Sequence, residues 1–107
     1  MVKISNRLTT AAALVTQGYT LADVGTDHGY IPIYLLQQEK IPSAIAMDIN
    51  EGPLEWAKEH IALYGLQAYI QTRLSDGVAA LEPGEVEAVL IAGMGGGLVI
   101  HILQDGE

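Results

Sequence analysis

Apolar residues recur along the chain with two different spacings. Between residues 4 and 15 they return every three or four positions, which predicts an opening helix that ends before Gly18. Short apolar runs with little polar alternation then predict four strands that are buried on both faces. The predicted strands span residues 20–24, 43–47, 69–74 and 88–92, and further helices are predicted at 31–38, 53–64 and about 96–104.

Alternation of strands and helices predicts an α/β fold with right-handed crossovers. We expect a Rossmann-like parallel sheet with flanking helices, of which about four strands, the first half, are present. The strand at 88–92 is then expected to form an open apolar edge, through which the chain could pair with another segment. Residues 1–107 are accordingly interpreted as the N-terminal part of one domain and as a fragment of a longer chain.

Charge and composition limit the partners. Five Lys and Arg stand against 13 Asp and Glu, for a net charge of −8, so the chain has no general attraction for phosphate backbones. The run of Glu82, Glu85 and Glu87 is interpreted as a solvated loop. There is no cysteine, the three histidines are far apart, and His60 falls on a polar helix face, so no metal is expected. With no signal-peptide core at the start, a cytoplasmic protein is expected.

The most informative motif follows the first strand, in the segment LADVGTDHGY at residues 21–30. Its glycines allow a ligand to approach the backbone, and the next helix offers free N–H groups. The dinucleotide pattern G-x-G-x-x-G is incomplete, and Asp23 and Asp27 would repel a pyrophosphate. The two acids suit the ammonium and sulfonium groups of S-adenosylmethionine, whereas a strand-to-helix turn with a capping Asp is the alternative. The candidate ligands are Asp23, Gly25, Thr26, Asp27, His28 and Gly29.

Two further acids end the next two strands. Asp48 lies 19 residues after Gly29, near the roughly 20 typical of an acid that binds ribose hydroxyls. Asp48 and Ile49 are therefore candidate ligands, with helix capping as the alternative for Asp48. Asp76, with Gly77, could accept a hydrogen bond from the adenine amino group, although S-D-G also forms ordinary turns. Because ligands bind at the carboxyl ends of strands in open α/β sheets, we expect the acids to share one site.

A glycine-rich stretch follows the fourth strand. Gly93, Met94 and Gly95 are predicted to line the wall beside the cofactor's methyl group and to leave space for an incoming base. A flexible hinge is the alternative. A P-loop is excluded because no Lys follows these glycines.

The sequence also resembles a known family. The segments DVGTDHGYIP and IAGMGGGLVIHIL, together with SNRL and SAIAMDINEGP, are similar to the bacterial tRNA (adenine(22)-N1)-methyltransferase (TrmK-like) family over essentially the whole chain. The resemblance implies a class I S-adenosylmethionine-dependent enzyme that methylates N1 of an adenine in the D-arm region of tRNA. The chain departs from the family in having Asp48 where Glu is common, and in stopping after the fourth strand. Most tRNA contacts are therefore expected outside these residues.

The resemblance also implies roles at the base. Attack by adenine N1 leaves a cationic product, which a carboxylate or an aromatic face stabilises. Asp27 and Tyr30 are therefore the expected catalytic residues, although Tyr30 could instead be a core-facing tyrosine. Arg7 is expected to contact a phosphate of the RNA. A nicotinamide-dependent oxidoreductase and a non-catalytic S-adenosylmethionine-binding module remain open as alternatives.

Overall fold

A computed structural model describes residues 4–26, 29–77, 79–82, 84–92 and 98–102. The elements are α1 (Asn6–Ala13), β1 (Leu21–Val24), α2 (Tyr30–Gln37), β2 (Ala44–Asp48), α3 (Glu51–Leu63), β3 (Ile70–Leu74), β4 (Ala88–Ala92) and β5 (Leu98–Ile102). The predicted helices and strands before residue 93 are confirmed, with small shifts at their ends that are usual for element boundaries.

The strands form one sheet in the order β3-β2-β1-β4-β5. The pairs of β1 with β2, β1 with β4 and β2 with β3 are all parallel, and the Rossmann-like fold class is confirmed. Asp23 lies opposite Ala46, and Asp48 lies opposite Leu74. The carboxyl ends of β1, β2 and β3 therefore meet at one edge of the sheet.

The core covers both faces of the sheet. Alternate strand residues such as Leu21 and Leu90 pack with the helices in one cluster, whereas Ala22, Met47 and Val89 pack in a second cluster. Successive side chains of a strand point to opposite faces, so both faces of each central strand are buried. This explains why these strands read as continuous apolar runs.

The prediction of a last helix over about 96–104 is wrong for residues 98–102. They form β5, which is antiparallel to β4 and pairs Ala88 with Ile102 and Ala92 with Leu98. The sequence LVIHI is rich in β-branched residues, which favour extended backbone, and β4 offers it an edge to pair with. The open edge expected at β4 is therefore also wrong, because β5 occupies it.

The interpretation of the glutamate run as a solvated loop is confirmed for Glu82 and Glu87, which are exposed outside helices and strands, but Glu85 is half-buried in an ion pair. Glu85 accepts hydrogen bonds from both terminal nitrogens of Arg73, each at 2.7 Å. Glu87 accepts one from the backbone N–H of Thr20 at 3.2 Å. These contacts connect the segment before β4 to β3 and to the start of β1. Among the described residues, no helix is long and apolar enough to cross a membrane.

Candidate cofactor-binding site

Asp23 is a buried carboxylate near the end of β1, with only 2% of its surface exposed. Its Oδ2 accepts a hydrogen bond from the Thr26 hydroxyl at 2.8 Å, whereas its buried Oδ1 has no partner among the described residues. Burial raises the pKa of Asp23 from 3.8 to about 7, opposed by the Thr26 hydrogen bond and reinforced by the negative charge of Asp48. A buried acceptor without a partner is costly and calls for an explanation.

The turn after β1 is held against β2 by backbone hydrogen bonds. The N–H groups of Gly25 and Thr26 both donate to the carbonyl of Met47, at 2.9 and 2.8 Å. Gly25 has a φ of 76°, a left-handed conformation that glycine adopts without steric penalty. The turn therefore lies over the carboxyl ends of two neighbouring strands.

Gly29 brings the start of α2 close to α3. It is the N-cap of α2 with a φ of 77°, and it supplies no side-chain cap. A Cβ added at Gly29 would lie 3.3 Å from the Cβ of Ala57, tighter than an ordinary van der Waals contact. Both the backbone conformation and the close approach of α3 therefore favour glycine at this position.

Asp48 ends β2 and is 9% exposed. Its Oδ1 accepts a hydrogen bond from the backbone N–H of Asn50 at 3.0 Å. Asn50 is itself the N-cap of α3, so Asp48 forms a local turn before the helix and does not cap it. An ionised carboxylate has about four acceptor positions, and this turn uses one of them. Ile49 follows with 60% of its surface exposed, which leaves an apolar side chain beside the carboxylate.

Asp76 lies at the same edge but is exposed. The segment around it forms a turn in which the buried Ser75 hydroxyl donates to the Gly77 carbonyl at 2.8 Å and accepts from the Ala80 N–H at 3.1 Å. The backbone N–H of Ser75 donates to the carbonyl of Asp48 at 2.9 Å. The structure thus brings Asp23 and Asp48 together, whereas its described contacts join the side chain of Asp76 to neither.

The described basic side chains are engaged away from these acids. Lys40 donates to the carbonyls of Ala12 and Ala13 at the end of α1. Lys58 pairs with Glu55, and Arg73 pairs with Glu85. In the part of the chain that the structure describes, no Lys or Arg is paired with Asp23 or Asp48. The edge therefore presents negative charge, which suits a cationic ligand better than a phosphate.

Tyr30, a predicted catalytic residue, is the first residue of α2 and is half-buried. Its ring stacks on His60 of α3, with centroids 5.3 Å apart and 23° between the planes. The assignment of His60 to a polar helix face is wrong, because it is half-buried against Tyr30. Ala57, which is fully buried, lies one helical turn before it, and residues three apart share one side of a helix.

Asp27, His28, Gly93, Met94 and Gly95 lie outside the described residues. Arg7 belongs to α1, but its side chain is not among those described.

A cavity of about 310 Å³ lies at the other end of the sheet. Its lining includes Thr20, Ser43, Tyr69 and Glu85, which precede or begin the strands. Its lining includes no predicted ligand residue. We therefore place the candidate site by its chemistry, at the carboxyl edge, where sheets of this kind bind ligands.

The chain matches a known protein family over nearly its whole length. Residues 4–107 match the family described as "Methyltransferase domain". The chain belongs to this family. The predicted methyltransferase fold is thereby confirmed over nearly all of the sequence.

Individual proteins similar to this methyltransferase domain have more specific names than the family does. It is 42% identical over 105 residues to the tRNA (adenine(22)-N(1))-methyltransferase of Bacillus subtilis, covering 98% of this chain and 44% of that protein. A structure of M. capricolum TrmK with S-adenosylhomocysteine is similar at 40% identity and a TM-score of 0.77, covering 84% and 41% of the two chains. Streptococcus pneumoniae Sp1610 with S-adenosyl-L-methionine is similar at 46% identity and a TM-score of 0.82, covering 87% and 44%. The domain therefore spans less than half the length of these relatives.

Proposed function

We propose that this chain is the N-terminal, S-adenosylmethionine-binding part of a cytoplasmic tRNA methyltransferase. The observation that carries the proposal is the pair of Asp23 and Asp48 at the carboxyl ends of adjacent strands. Asp23 is buried with an unpartnered oxygen, and the charge of Asp48 acts on it. S-adenosylhomocysteine and S-adenosylmethionine, which are bound by the relatives from M. capricolum and S. pneumoniae, carry the cationic amino group that such a site requires.

The residues present fit this cofactor. Bound S-adenosylmethionine supplies a methyl group on a positively charged sulfur. Oδ1 of Asp23 would accept a hydrogen bond from the cofactor's ammonium group and would thereby gain the donor that it lacks. Asp48 would accept hydrogen bonds from the ribose hydroxyls, with Ile49 against the adenine ring and Asp76 near its amino group. Gly29 lets the backbone of the turn approach the ligand closely.

We propose N1 of an adenine in the D-arm region of tRNA as the methyl acceptor, which rests on the likeness to the Bacillus subtilis enzyme. This nitrogen has a free lone pair, so the protein needs to align it and exclude water rather than remove a proton. Asp27 and Tyr30 are assigned to stabilise the positive charge that develops on the base. The base must leave its stack to reach the site. Gly93, Met94 and Gly95 are assigned to leave room for it.

Recognition of the RNA is assigned mainly to protein outside these 107 residues. The chain has a net charge of −8, and affinity for nucleic acid rests largely on Lys and Arg contacts to phosphates. Arg7 is the one phosphate contact that we assign within this chain.

Calorimetric titration of the chain with S-adenosylhomocysteine and with NAD tests the cofactor assignment. We expect binding of the first and not of the second. Asp48→Asn is expected to weaken binding at least tenfold, because an amide accepts hydrogen bonds from the ribose hydroxyls less strongly than a carboxylate does. Glu55→Gln makes the same change of charge on an exposed side chain and is expected to leave the affinity unchanged. Binding of NAD alone would overturn the proposal.

Methyl transfer to tRNA tests the reaction. The protein that carries this chain is incubated with S-adenosylmethionine and tRNA, and the RNA is digested and analysed for 1-methyladenine. Asp27→Asn is expected to reduce the rate by about a hundredfold or more, as is typical when a charge that stabilises the transition state is removed. Cofactor binding without transfer to tRNA, or transfer to another atom, would contradict the assigned reaction.

A further inference from the structure

We infer that His60 of α3 is a positioning residue for the cofactor site and that it acts through Tyr30. The inference rests on the proposed function and extends it to a residue on a different element from the predicted ligands. Its basis is the stack of the two rings, with centroids 5.3 Å apart and 23° between their planes. The stack joins α3 to the residue that opens α2, directly after the turn that carries the motif.

A second contact connects the same two elements. Gly29 approaches Ala57 so closely that an added Cβ would lie 3.3 Å from the Ala57 Cβ. Ala57 is fully buried, and His60 lies one turn further along the same side of α3. Two consecutive residues of the motif, Gly29 and Tyr30, are therefore held by two residues of α3 that are neighbours in space.

The held segment leads to the buried carboxylate through two hydrogen bonds, and a third fixes the residue between them to β2. The N–H of Gly29 donates to the carbonyl of Thr26 at 3.0 Å. The hydroxyl of Thr26 donates to Oδ2 of Asp23 at 2.8 Å, and its N–H is bound to Met47 of β2 at 2.8 Å. A shift of the start of α2 relative to α3 therefore changes the position of Thr26, and with it the orientation of the Asp23 carboxylate.

The flat imidazole ring of His60 suits this role. Offset stacking of two aromatic rings contributes about 0.5–1.5 kcal/mol beyond the area that they bury, and a branched aliphatic side chain cannot reproduce that contact. If the stack selects the orientation of α2 that binds the cofactor, its loss lowers the fraction of competent molecules and raises the apparent Kd in proportion. The middle of that range, about 1 kcal/mol, corresponds to an increase of about fivefold in Kd.

Three variants test the inference by calorimetric titration with S-adenosylhomocysteine. His60→Leu removes the stack and is expected to raise Kd about fivefold. His60→Phe keeps a flat ring and is expected to stay within about twofold of the unaltered chain, since stacking does not need the imidazole nitrogens. Leu63→Ala, at a position 74% exposed on the same helix, is the matched control and is expected to change nothing. Urea unfolding of each variant separates lost affinity from lost folding.

Proton NMR of the unaltered chain gives a readout that does not depend on the variants. The ring current of Tyr30 is expected to shift the His60 imidazole protons, and this shift is expected to change when S-adenosylhomocysteine binds. Equal affinities for His60→Leu and the unaltered chain, or His60 signals indifferent to the ligand, would overturn the inference and leave the proposed function standing. Absence of binding by the unaltered chain would instead contradict the proposed function.

Discussion

The carboxylates near the two ends of the sheet differ in whether their oxygens have hydrogen-bond partners. At the amino end, Glu87 accepts hydrogen bonds from the backbone N–H and the hydroxyl of Thr20, at 3.2 and 3.4 Å. In the segment that leads to β4, Glu85 is held by Arg73 through two bonds of 2.7 Å. At the carboxyl end, Asp23 is buried and one of its oxygens has no described partner.

The acidities of these groups follow from their surroundings. The hydrogen bonds from Arg73 lower the pKa of Glu85 to about 2, whereas burial raises the pKa of Asp23 to about 7. A paired carboxylate stabilises the folded chain, and a buried one without a cation destabilises it. The difference indicates that the pair of Glu85 with Arg73 contributes to the stability of the fold, whereas Asp23 at the carboxyl end keeps an oxygen to which a ligand can donate a hydrogen bond.

The largest expected effect comes from removing the titratable group at the carboxyl end. Since the pKa of Asp23 is higher in the folded chain, its contribution to stability is fully present below pH 3.8 and is lost as the pH rises through about 7. A change of pKa from 3.8 to about 7 corresponds to about 4 kcal/mol in the free energy of unfolding. Urea unfolding from pH 4 to 8 should show that the unaltered chain loses about this much relative to Asp23→Asn.

The pH dependence of the difference, rather than its size at one pH, is the test. The amide of Asn can still accept the Thr26 hydroxyl, but its NH₂ group takes the place of an oxygen, and any resulting cost is the same at every pH. Parallel stability curves for the two chains would mean that Asp23 titrates normally, and the contrast between the two ends would fail.

The helices and strands before residue 93 were predictable because the signal for them is local. An apolar run such as residues 88–92 specifies a buried strand, and the acids that follow the strands can be counted along the sequence. Strand β5 could not be predicted in this way, because LVIHI also fits a helix and its state depends on pairing with β4. Pairing of a strand with the edge of a sheet depends on residues distant in the sequence, so a local pattern does not reveal it.

The candidate site was predictable in its location but not in its internal contacts. The sequence indicates that Asp23 and Asp48 end neighbouring strands, and the structure places the charge of one within reach of the other. The sequence does not indicate that Asp76 is exposed or that His60 stacks on Tyr30. Those outcomes depend on how α2 and α3 pack, which no local pattern encodes.

Two glycines on either side of β1 provide the next largest effect. Gly18 and Gly29 both have left-handed backbones, with φ of 87° and 77°. An added Cβ meets no described atom within 4 Å at Gly18, but lies 3.3 Å from the Ala57 Cβ at Gly29. We expect Gly18→Ala to destabilise the chain by about 1 kcal/mol through backbone strain, and Gly29→Ala by about 2 kcal/mol because the contact with α3 adds to the strain.

Thermal or urea unfolding of the two glycine variants measures this difference directly. Gly18→Ala serves as the control, since it has the same kind of strain without the helix contact. Equal losses of stability in the two variants would show that α2 and α3 are not tightly packed at Gly29.

The smallest expected effect is at the paired carboxylate. Since the pKa of Glu85 is lower in the folded chain, its stabilisation is present above pH 4.5 and is lost as the pH falls through about 2, which is opposite in sign to Asp23. Glu85→Gln is expected to destabilise the chain by about 1 kcal/mol at pH 7, the usual scale for a bidentate but partly exposed pair. Glu55→Gln breaks the pair of Glu55 with Lys58. Both of these side chains are more than half exposed, so this change is expected to have almost no effect on the free energy of unfolding. Equal losses of stability in Glu85→Gln and Glu55→Gln would show that the hydrogen bonds of Arg73 to Glu85 do not stabilise the fold. Glu85 and Asp23 would then differ only in how deeply they are buried.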